Sequence, residues 1–406
     1  RDYYASRGLG DVYKRQGINA TRLFSTLYGQ TLNVGRVMTP TLAMAVMREA
    51  AISAFKPELF YTVQIGLDGF TAASERFKTK AAAEAVKQSC SVAIVQKAEC
   101  KEKTEKPPAL YDLTSLQREA NRVLGYTAQQ TLDYTQNLYE KKLVTYPRTD
   151  SRFLTEDMAH SLTDLVKLAF HTFPVEDVDN IPVHAEQVVN NKKVTDHHAI
   201  LPTVQLEKQD VSALPQSEQK ILNLVGMRLL CATGEKHTYA ETQITLSCEG
   251  YEFKTKGKTV VQNGWKAIEE LFKASLKTKE KDDPMKSLPE VHEGDMLEGV
   301  SASVTEHFTT PPKQYTEDML LSAMETAGND QFDDDTEKKG LGTPATRAGI
   351  IEKLVSSGFV ERRKSKKITN LLPASTGTAL ITVLPEQLQS PQLTAEWEHR
   401  LKEIER

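Results

Sequence analysis

Leu143-Val144-Thr145-Tyr146-Pro147-Arg148-Thr149-Asp150-Ser151-Arg152 carries a tyrosine at the end of a short β-branched run, stops it with proline, and sets a fixed cation two residues on. The phenol of a tyrosine holds its proton to about pH 10, so at neutral pH it is a poor nucleophile without an oriented partner. Arg148 keeps its charge and offers a planar fork of donors that matches phosphate oxygens. The combination suits a hydroxyl nucleophile aimed at a phosphodiester. It fits a core tyrosine at a strand end beside a solvated arginine as well, and the pattern alone favours that plainer reading.

The residues upstream predict how the stretch is held. Asp112 can cap a helix through Leu113, Leu116, Ala120 and Val123 that Gly125 ends. Thr127-Ala128-Gln129-Gln130 fits a capping box, in which threonine and glutamine satisfy each other's free backbone donors. The helix it opens presents Leu132, Thr135 or Gln136, and Tyr139, and a strand over Leu143–Tyr146 follows at once. Helix, tight turn, helix, strand is the skeleton of a helix-turn-helix or winged-helix unit, with Tyr146 on a rigid element.

Further out, Asn19 or Thr21 is expected to cap a helix reaching Tyr28, and Thr39-Pro40 to start another ending near Ala54. Alternation at Tyr61–Leu67 predicts a half-buried strand, Ala81–Gln88 a helix, and Val92–Val95 a strand, before Lys106-Pro107-Pro108 breaks the chain. Helices are expected over about Asp157–Phe170 and Ser217–Ala232. Strands return at Tyr239–Leu246 and Tyr251–Phe253, so one β-rich domain is interrupted by a helical one. Lys277–Lys286 is expected to be a surface loop. Tyr315–Ala327 reads as a helix, Thr343-Pro344 caps another with an Ile350, Ile351, Leu354, Val355 stripe ended by Gly358, and Phe359–Arg362 with Ile368–Leu372 flank a basic turn as a hairpin. In a winged helix that turn is the wing, placed to touch phosphates.

The 406 residues suggest roughly three domains. Hydrophobic residues at 39% and charged residues at 26% are the proportions of a globular protein with material for several cores. No apolar run approaches membrane-spanning length, so no membrane partner is expected. Four widely spaced cysteines (Cys90, Cys100, Cys231, Cys248) lack any Cys-x-x-Cys pair, which argues for a reducing, intracellular setting and against structural zinc. The net charge of -4 argues mildly against a nucleic-acid protein, but basic residues cluster at Arg362-Arg363-Lys364-Ser365-Lys366-Lys367, and distribution counts for more than the sum.

Taken together the motifs resemble the type IA DNA topoisomerases, specifically the bacterial topoisomerase III branch. Gly35-Arg36-Val37-Met38-Thr39-Pro40-Thr41-Leu42 is similar to that family's Gly-Arg-Val-Gln-Thr-Pro-Thr-Leu, with methionine in place of glutamine. Leu110-Tyr111-Asp112-Leu113-Thr114-Ser115-Leu116-Gln117-Arg118-Glu119-Ala120-Asn121 resembles the run leading to the nucleophile, and Thr145–Ser151 the nucleophile motif itself. Asp196-His197-His198-Ala199-Ile200-Leu201-Pro202-Thr203 and Gly342-Thr343-Pro344-Ala345-Thr346-Arg347-Ala348 follow in order. Five ordered matches are far more specific than one.

The resemblance implies a mixed α+β, multidomain chain, with helical winged-helix-like domains and an interrupted β-rich domain forming part of a toroid. It implies that Tyr146 attacks single-stranded DNA and becomes linked to the 5′-phosphate, that Arg148 positions the scissile phosphate, and that His197 is the active-site histidine. Arg36, Asp150, Ser151, His198, Thr343, Thr346 and Arg347 are the implied DNA contacts; the plainer roles for Arg36, Thr343, Thr346 and Arg347 are capping and surface charge. Strand passage, relaxation of negative supercoils and decatenation are the implied activities, with Mg2+ as cofactor and no ATP. The lack of a Gly-x-x-x-x-Gly-Lys-[Ser/Thr] loop agrees with the last point. The implied partners are single-stranded DNA and a helicase, in a bacterial, nucleoid-associated, cytoplasmic setting.

The expected division is residues 1–16 as a non-native leader, 17–57 and 313–406 as the two parts of a helical DNA-binding domain, 58–110 and 237–312 as the two parts of a β-rich gate domain, and 111–236 as a helical winged-helix-like domain carrying Tyr146. No segment matches the family's acidic magnesium-binding domain, with its glutamate and lysine at the cleavage site. The chain is thus expected to be a fragment at both ends, without metal ligands and inactive alone. Two other readings stay open. A tyrosine recombinase or type IB enzyme would place a His-x-x-Arg ahead of a C-terminal tyrosine, whereas here the histidines follow Tyr146. A non-catalytic winged-helix protein binding single-stranded DNA is the other.

Overall fold

The computed structural model describes residues 15, 17–29, 31–173, 182–194, 196–276, 287–328, 340–366 and 368–391. The expected loop at Lys277–Lys286, the acidic run Asp333–Glu337 and nearly all of the 1–16 leader lie outside the described residues. None of the described helices is long and apolar enough to cross a membrane.

Residues 17–28 form helix α1. The expected cap at Asn19 or Thr21 is displaced, because both lie inside the helix. The Thr21 hydroxyl instead accepts from the Val34 amide at 2.9 Å and donates to the Val34 carbonyl at 3.2 Å, tying α1 to the segment before α2 (Met38–Ala54). Helix α2 starts two residues before Pro40, which still falls in the first turn, where a missing amide hydrogen costs nothing.

Seven strands then build one antiparallel sheet from two distant stretches. β1 (Leu59–Leu67), β2 (Phe70–Ser74) and β3 (Ala93–Glu105) come before the helical block, with α3 (Lys80–Ser89) between β2 and β3. β4 (His237–Cys248), β5 (Tyr251–Gln262), β6 (Met296–Leu297) and β7 (Ser301–Phe308) come after it, with α8 (Trp265–Ser275) following β5. The order is β6-β3-β4-β5-β2-β1-β7. Val63, Ile65, Val95, Ile244, Leu246 and Phe253 pack with Ala83 and Val86 of α3 on one face, as period-two alternation requires. β3 runs ten residues beyond the expected Val95. Its second half, Lys97–Glu105, carries charges on alternate positions and is held by pairing with β4, including Lys101 opposite Glu241 and a Lys103–Glu241 ion pair at 2.6 Å. The ladder ends at Glu105 opposite His237, so the helical block leaves and re-enters the sheet through two neighbouring strand ends.

That block contains α4 (Leu113–Leu124), α5 (Ala128–Glu140), α6 (Ala159–Thr172) and α7 (Gln216–Ala232). The caps are as predicted. The Asp112 carboxylate accepts from Ser115 N at 2.7 Å, Thr127 and Gln130 complete a reciprocal box, and Gly125 takes φ 71° to end α4. Leu113, Leu116, Ala120, Leu132, Leu138, Leu143, Val144, Ile221, Leu222 and Val225 share one core. Within α5 the buried residue of the last turn is Leu138; Tyr139, expected on the apolar stripe, is exposed. The strand expected at Leu143–Tyr146 is reduced to a single bridge, Val144 to Pro202, because only a short facing segment is there to pair with it.

A further core joins α1 and α2 to α9 (Glu317–Thr326), α10 (Pro344–Ser356), the hairpin β8 (Val360–Ser365) and β9 (Ile368–Pro373), and α11 (Ser375–Val383), before the short α12 (Glu386–Gln389). Leu42, Leu320, Leu321, Met324, Ile351, Leu354, Phe359 and Leu380 are buried there. Arg362, in the basic hairpin, is not a free phosphate contact. Its guanidinium donates to Glu317 at 2.7 Å and pairs with Glu352.

Candidate functional site

Two irregular segments, residues 143–149 and 197–203, lie side by side and set the position of Tyr146. Thr145 N donates to Leu201 O at 2.9 Å, and the Thr145 hydroxyl accepts from Leu201 N at 2.9 Å while donating to Ala199 O at 3.1 Å. Four residues on, the Thr149 hydroxyl donates to His197 O at 3.0 Å. With Leu143, Val144, Pro147 and Thr149 buried, the backbone around the tyrosine is held without a sheet. The rigidity expected of a strand is thus supplied by side-chain and bridge hydrogen bonds.

The half-buried ring of Tyr146 lies 4.3 Å from the His197 ring, centroid to centroid, at an interplanar angle of 41°. On another side the Tyr139 ring stands edge-on to it at 5.5 Å and 80°. Such edge-to-face pairs prefer this geometry because the positive ring edge meets the negative face. The Tyr146 ring therefore sits between the His197 imidazole and the Tyr139 ring.

Beside this trio is a cleft of about 190 Å³ lined by Arg148, Thr149, Asp150, Asp196, His197, Thr343, Pro344 and Ala345. Three sequence motifs separated by nearly two hundred residues thus meet in one place. One wall carries the exposed Arg148 and His197. The other is the start of α10, where Thr346 Oγ1 accepts from Thr343 N at 3.0 Å and the two hydroxyls lie 3.2 Å apart. The first amides of a helix attract anions, so this wall and Arg148 both favour a phosphate. Gly342 takes φ 67° to enter the helix, and a side chain there would meet Val37 Cγ1 at 3.3 Å, so the Arg36–Val37 turn abuts the α10 start.

Not all expected contacts reach the cleft. Arg36 is half-buried and is not among the residues lining the cleft. His198 donates from Nδ1 to the Ala199 carbonyl at 2.8 Å, a role fixed by the acceptor. Ser151 is buried; its hydroxyl donates to Lys193 O at 2.9 Å and accepts from Phe153 N at 3.1 Å. Arg347 is only 3% exposed: Nε donates to Leu341 O at 3.1 Å and an Nη to the Thr114 hydroxyl at 2.9 Å, joining α10 to α4. Burial lowers its affinity for a proton, against the pull of Glu325 and Asp112. Ser151 and Arg347 therefore hold the walls in place here and do not line the cleft.

Sequence reasoning missed Tyr139, Asp196 and the tether of Arg152. Asp112, the cap of α4, also accepts from Arg152 Nε at 2.8 Å, and Arg152 reaches Glu325 of α9 at 3.0 Å. Burial works against the arginine's charge, yet Asp112 and Glu325 outweigh it and its proton is held more tightly than usual.

A family model described as DNA topoisomerase matches residues 14–406. DNA topoisomerase 3 of Bacillus subtilis is 38% identical over 410 residues, covering 96% of this chain and 55% of that protein. DNA topoisomerase 3 of Shouchella clausii is 37% identical, covering 98% of this chain and 56% of that protein. The chain thus spans little more than half the length of these relatives. Full-length topoisomerase I from Thermotoga maritima superposes with a TM-score of 0.77 at 23% identity, covering 100% of this chain and 64% of that one, a likeness of fold. With the ordered motifs gathered around one cleft and the family model matched along nearly its whole length, the chain belongs to the type IA DNA topoisomerases.

Proposed function

We propose that this chain carries the nucleophile and one face of the DNA-cleaving site of a topoisomerase that cuts one strand through a 5′-phosphotyrosine. The observation that carries the reading is Tyr146 packed on His197 at the edge of a cleft that also holds Arg148 and the α10 start. The phenol gives up its proton, its oxygen bonds to phosphorus, and the bond from phosphorus to the 3′-oxygen breaks. That oxygen takes up a proton and leaves as a 3′-hydroxyl. The phosphotyrosine keeps the energy of the broken bond, so attack by the same hydroxyl reseals the strand without ATP. On this reading His197 accepts and returns the phenol proton, and Arg148 holds the phosphate and offsets charge gathering on its oxygens. Asp150, His198, Thr343 and Thr346 lie along the DNA path, and α9, α10 and the β8–β9 hairpin are read as a winged-helix-like unit beside it.

Magnesium is the family's implied cofactor. Among the described residues no three His, Cys, Asp or Glu side chains are grouped to hold a metal, and the cleft offers only Asp150, Asp196 and His197. No step above runs through a metal.

Covalent trapping on a single-stranded oligonucleotide tests the reading. This chain alone should give little or no adduct. Supplying the remaining portion of a full-length relative, with magnesium, should raise an adduct at the 5′-phosphate that Tyr146→Phe abolishes. An adduct retained by that variant, or formed at the 3′-phosphate, overturns the proposal. Binding of the oligonucleotide should weaken as salt rises, as for any groove that tracks phosphates.

A further inference from the structure

The cleft has two walls that belong to two differently packed cores. Arg148–Asp150 and His197 stand on the α4–α7 side, and Thr343–Ala345 on the α9–α10 side. Something must fix the distance between them, since a phosphate contacted by both walls tolerates little error. Apart from the bond of Arg347 on α10 to Thr114 on α4 at 2.9 Å, the polar connections described across the boundary converge on α9. Glu317 accepts from the Ala128 amide at 2.7 Å, Arg118 donates to Asp318 at 2.8 Å, and Asp318 N donates to Asn121 at 3.1 Å. These hold α9 against α4 and α5, away from the nucleophile.

Glu325 differs. One of its carboxylate oxygens accepts from Arg152, six residues past Tyr146, at 3.0 Å, and the other lies 3.7 Å from Arg118. Its neighbour Met324 accepts at 2.7 Å from the amide of Leu341, two residues before Thr343. A short path therefore runs from the nucleophile loop through Arg152, Glu325 and the last turn of α9 to the opposite wall. Arg152 is itself lashed to Asp112, and Leu113 N donates to Thr149 O at 3.1 Å, so a force on Arg152 reaches the Tyr146 segment directly.

We infer that Glu325 is a positioning residue: by holding Arg152 and Arg118 together it sets the separation of the two cleft walls and hence the reach from Tyr146 to a phosphate seated on α10. It touches no substrate and acts through the two arginines. Because its carboxylate is 27% exposed and the two arginines 38% and 35%, salt reaches the junction and weakens it. The predicted consequence for DNA rests on the function proposed above; the wall separation does not.

The test measures that separation in the chain itself. Spin labels go on Asp157→Cys and Lys353→Cys, both exposed, in a background of Cys100→Ser, since Cys100 is exposed and the other three cysteines are buried. Glu325→Gln should lengthen and broaden the label-to-label distances and remove most of their salt dependence, while the thermal melt stays close to that of the unaltered chain. If Glu325→Gln does not fold, Arg152→Gln breaks the same bond from the other side and leaves Arg118–Asp318 intact; the same change is expected. Distances and salt response unchanged in the folded variant overturn the inference. With a fluorescent oligonucleotide, Glu325→Gln should bind about fivefold or more weakly, the size of a typical coupling between sites. Shifted distances with no oligonucleotide binding by the unaltered chain leave the positioning role standing and count against the proposed function.

Discussion

The ring of Tyr146 rests against the ring of His197 at 4.3 Å, although fifty residues separate them in the chain. The Thr149 hydroxyl donates to the carbonyl of that histidine and the Thr145 hydroxyl to the Ala199 carbonyl, so the contact is built into the fold. His197→Ala should therefore slow adduct formation by about a hundredfold or more, the usual contribution of a positioned acid–base group, with little change in oligonucleotide binding. Rates of covalent trapping in the reconstituted enzyme check this; equal losses in rate and binding would point to a contact role instead.

Tyr139 supports the other side of the Tyr146 ring through an edge-on contact at 5.5 Å. Such a contact is worth about 0.5–1.5 kcal/mol, so Tyr139→Ala should lower the trapping rate by roughly two- to tenfold. Tyr139→Phe keeps the ring and should behave as the unaltered protein. A loss in the phenylalanine variant would show that the hydroxyl, not the ring, matters.

Arg347 belongs to the junction of α10 with α4. Arg347→Met should cost about 2–3 kcal/mol in denaturant unfolding, because the Leu341 carbonyl and the Thr114 hydroxyl lose a charged donor in a buried place. The salt dependence of oligonucleotide binding should keep its slope. A slope reduced by about one unit, without destabilisation, would make Arg347 a phosphate contact after all.

Glu317 gives a pH signature. Burial raises its pKa from 4.5, against the Ala128 amide and the Arg362 guanidinium, which stabilise the charged form. The folded state thus binds this proton more tightly than the unfolded chain does. The contribution of Glu317 to stability is complete below about pH 4.5 and falls as pH rises through the raised value. Unfolding free energies of the unaltered chain minus those of Glu317→Gln should decline across that window; a rising difference would mean that the Arg362 pairing wins.

Features that depend on a few neighbouring residues were legible in the sequence. The Asp112, Thr127 and Thr343 caps and the Gly125 stop need only local hydrogen bonds, and the motifs that carry Tyr146, Arg148 and His197 lie together in the fold. What failed depended on distant partners. The strand expected over Val92–Val95 runs on to Glu105 because β4 supplies the opposite strand for its charged second half. Leu143–Tyr146 reads as a strand, but the chain opposite it provides one bridge. An arginine that binds phosphate and one that bonds a buried threonine or a carboxylate look alike in sequence, so the bond of Arg347 to Thr114 and the pairing of Arg362 with Glu317 and Glu352 were not legible there. Tyr139 fell to a one-position ambiguity in helical phase, with Leu138 taking the core side.

The meeting of β3 and β4 bears on how the molecule is assembled. Glu105 pairs with His237, so the ladder closes a loop of roughly 130 residues, and each doubling of such a loop adds only ~0.6 kcal/mol of closure entropy if the loop is flexible. A loop already folded into α4–α7 with its two ends side by side costs less still. The tyrosine-bearing block should accordingly become structured before the sheet, and the sheet should close last, zipping from the ends that the finished block holds together.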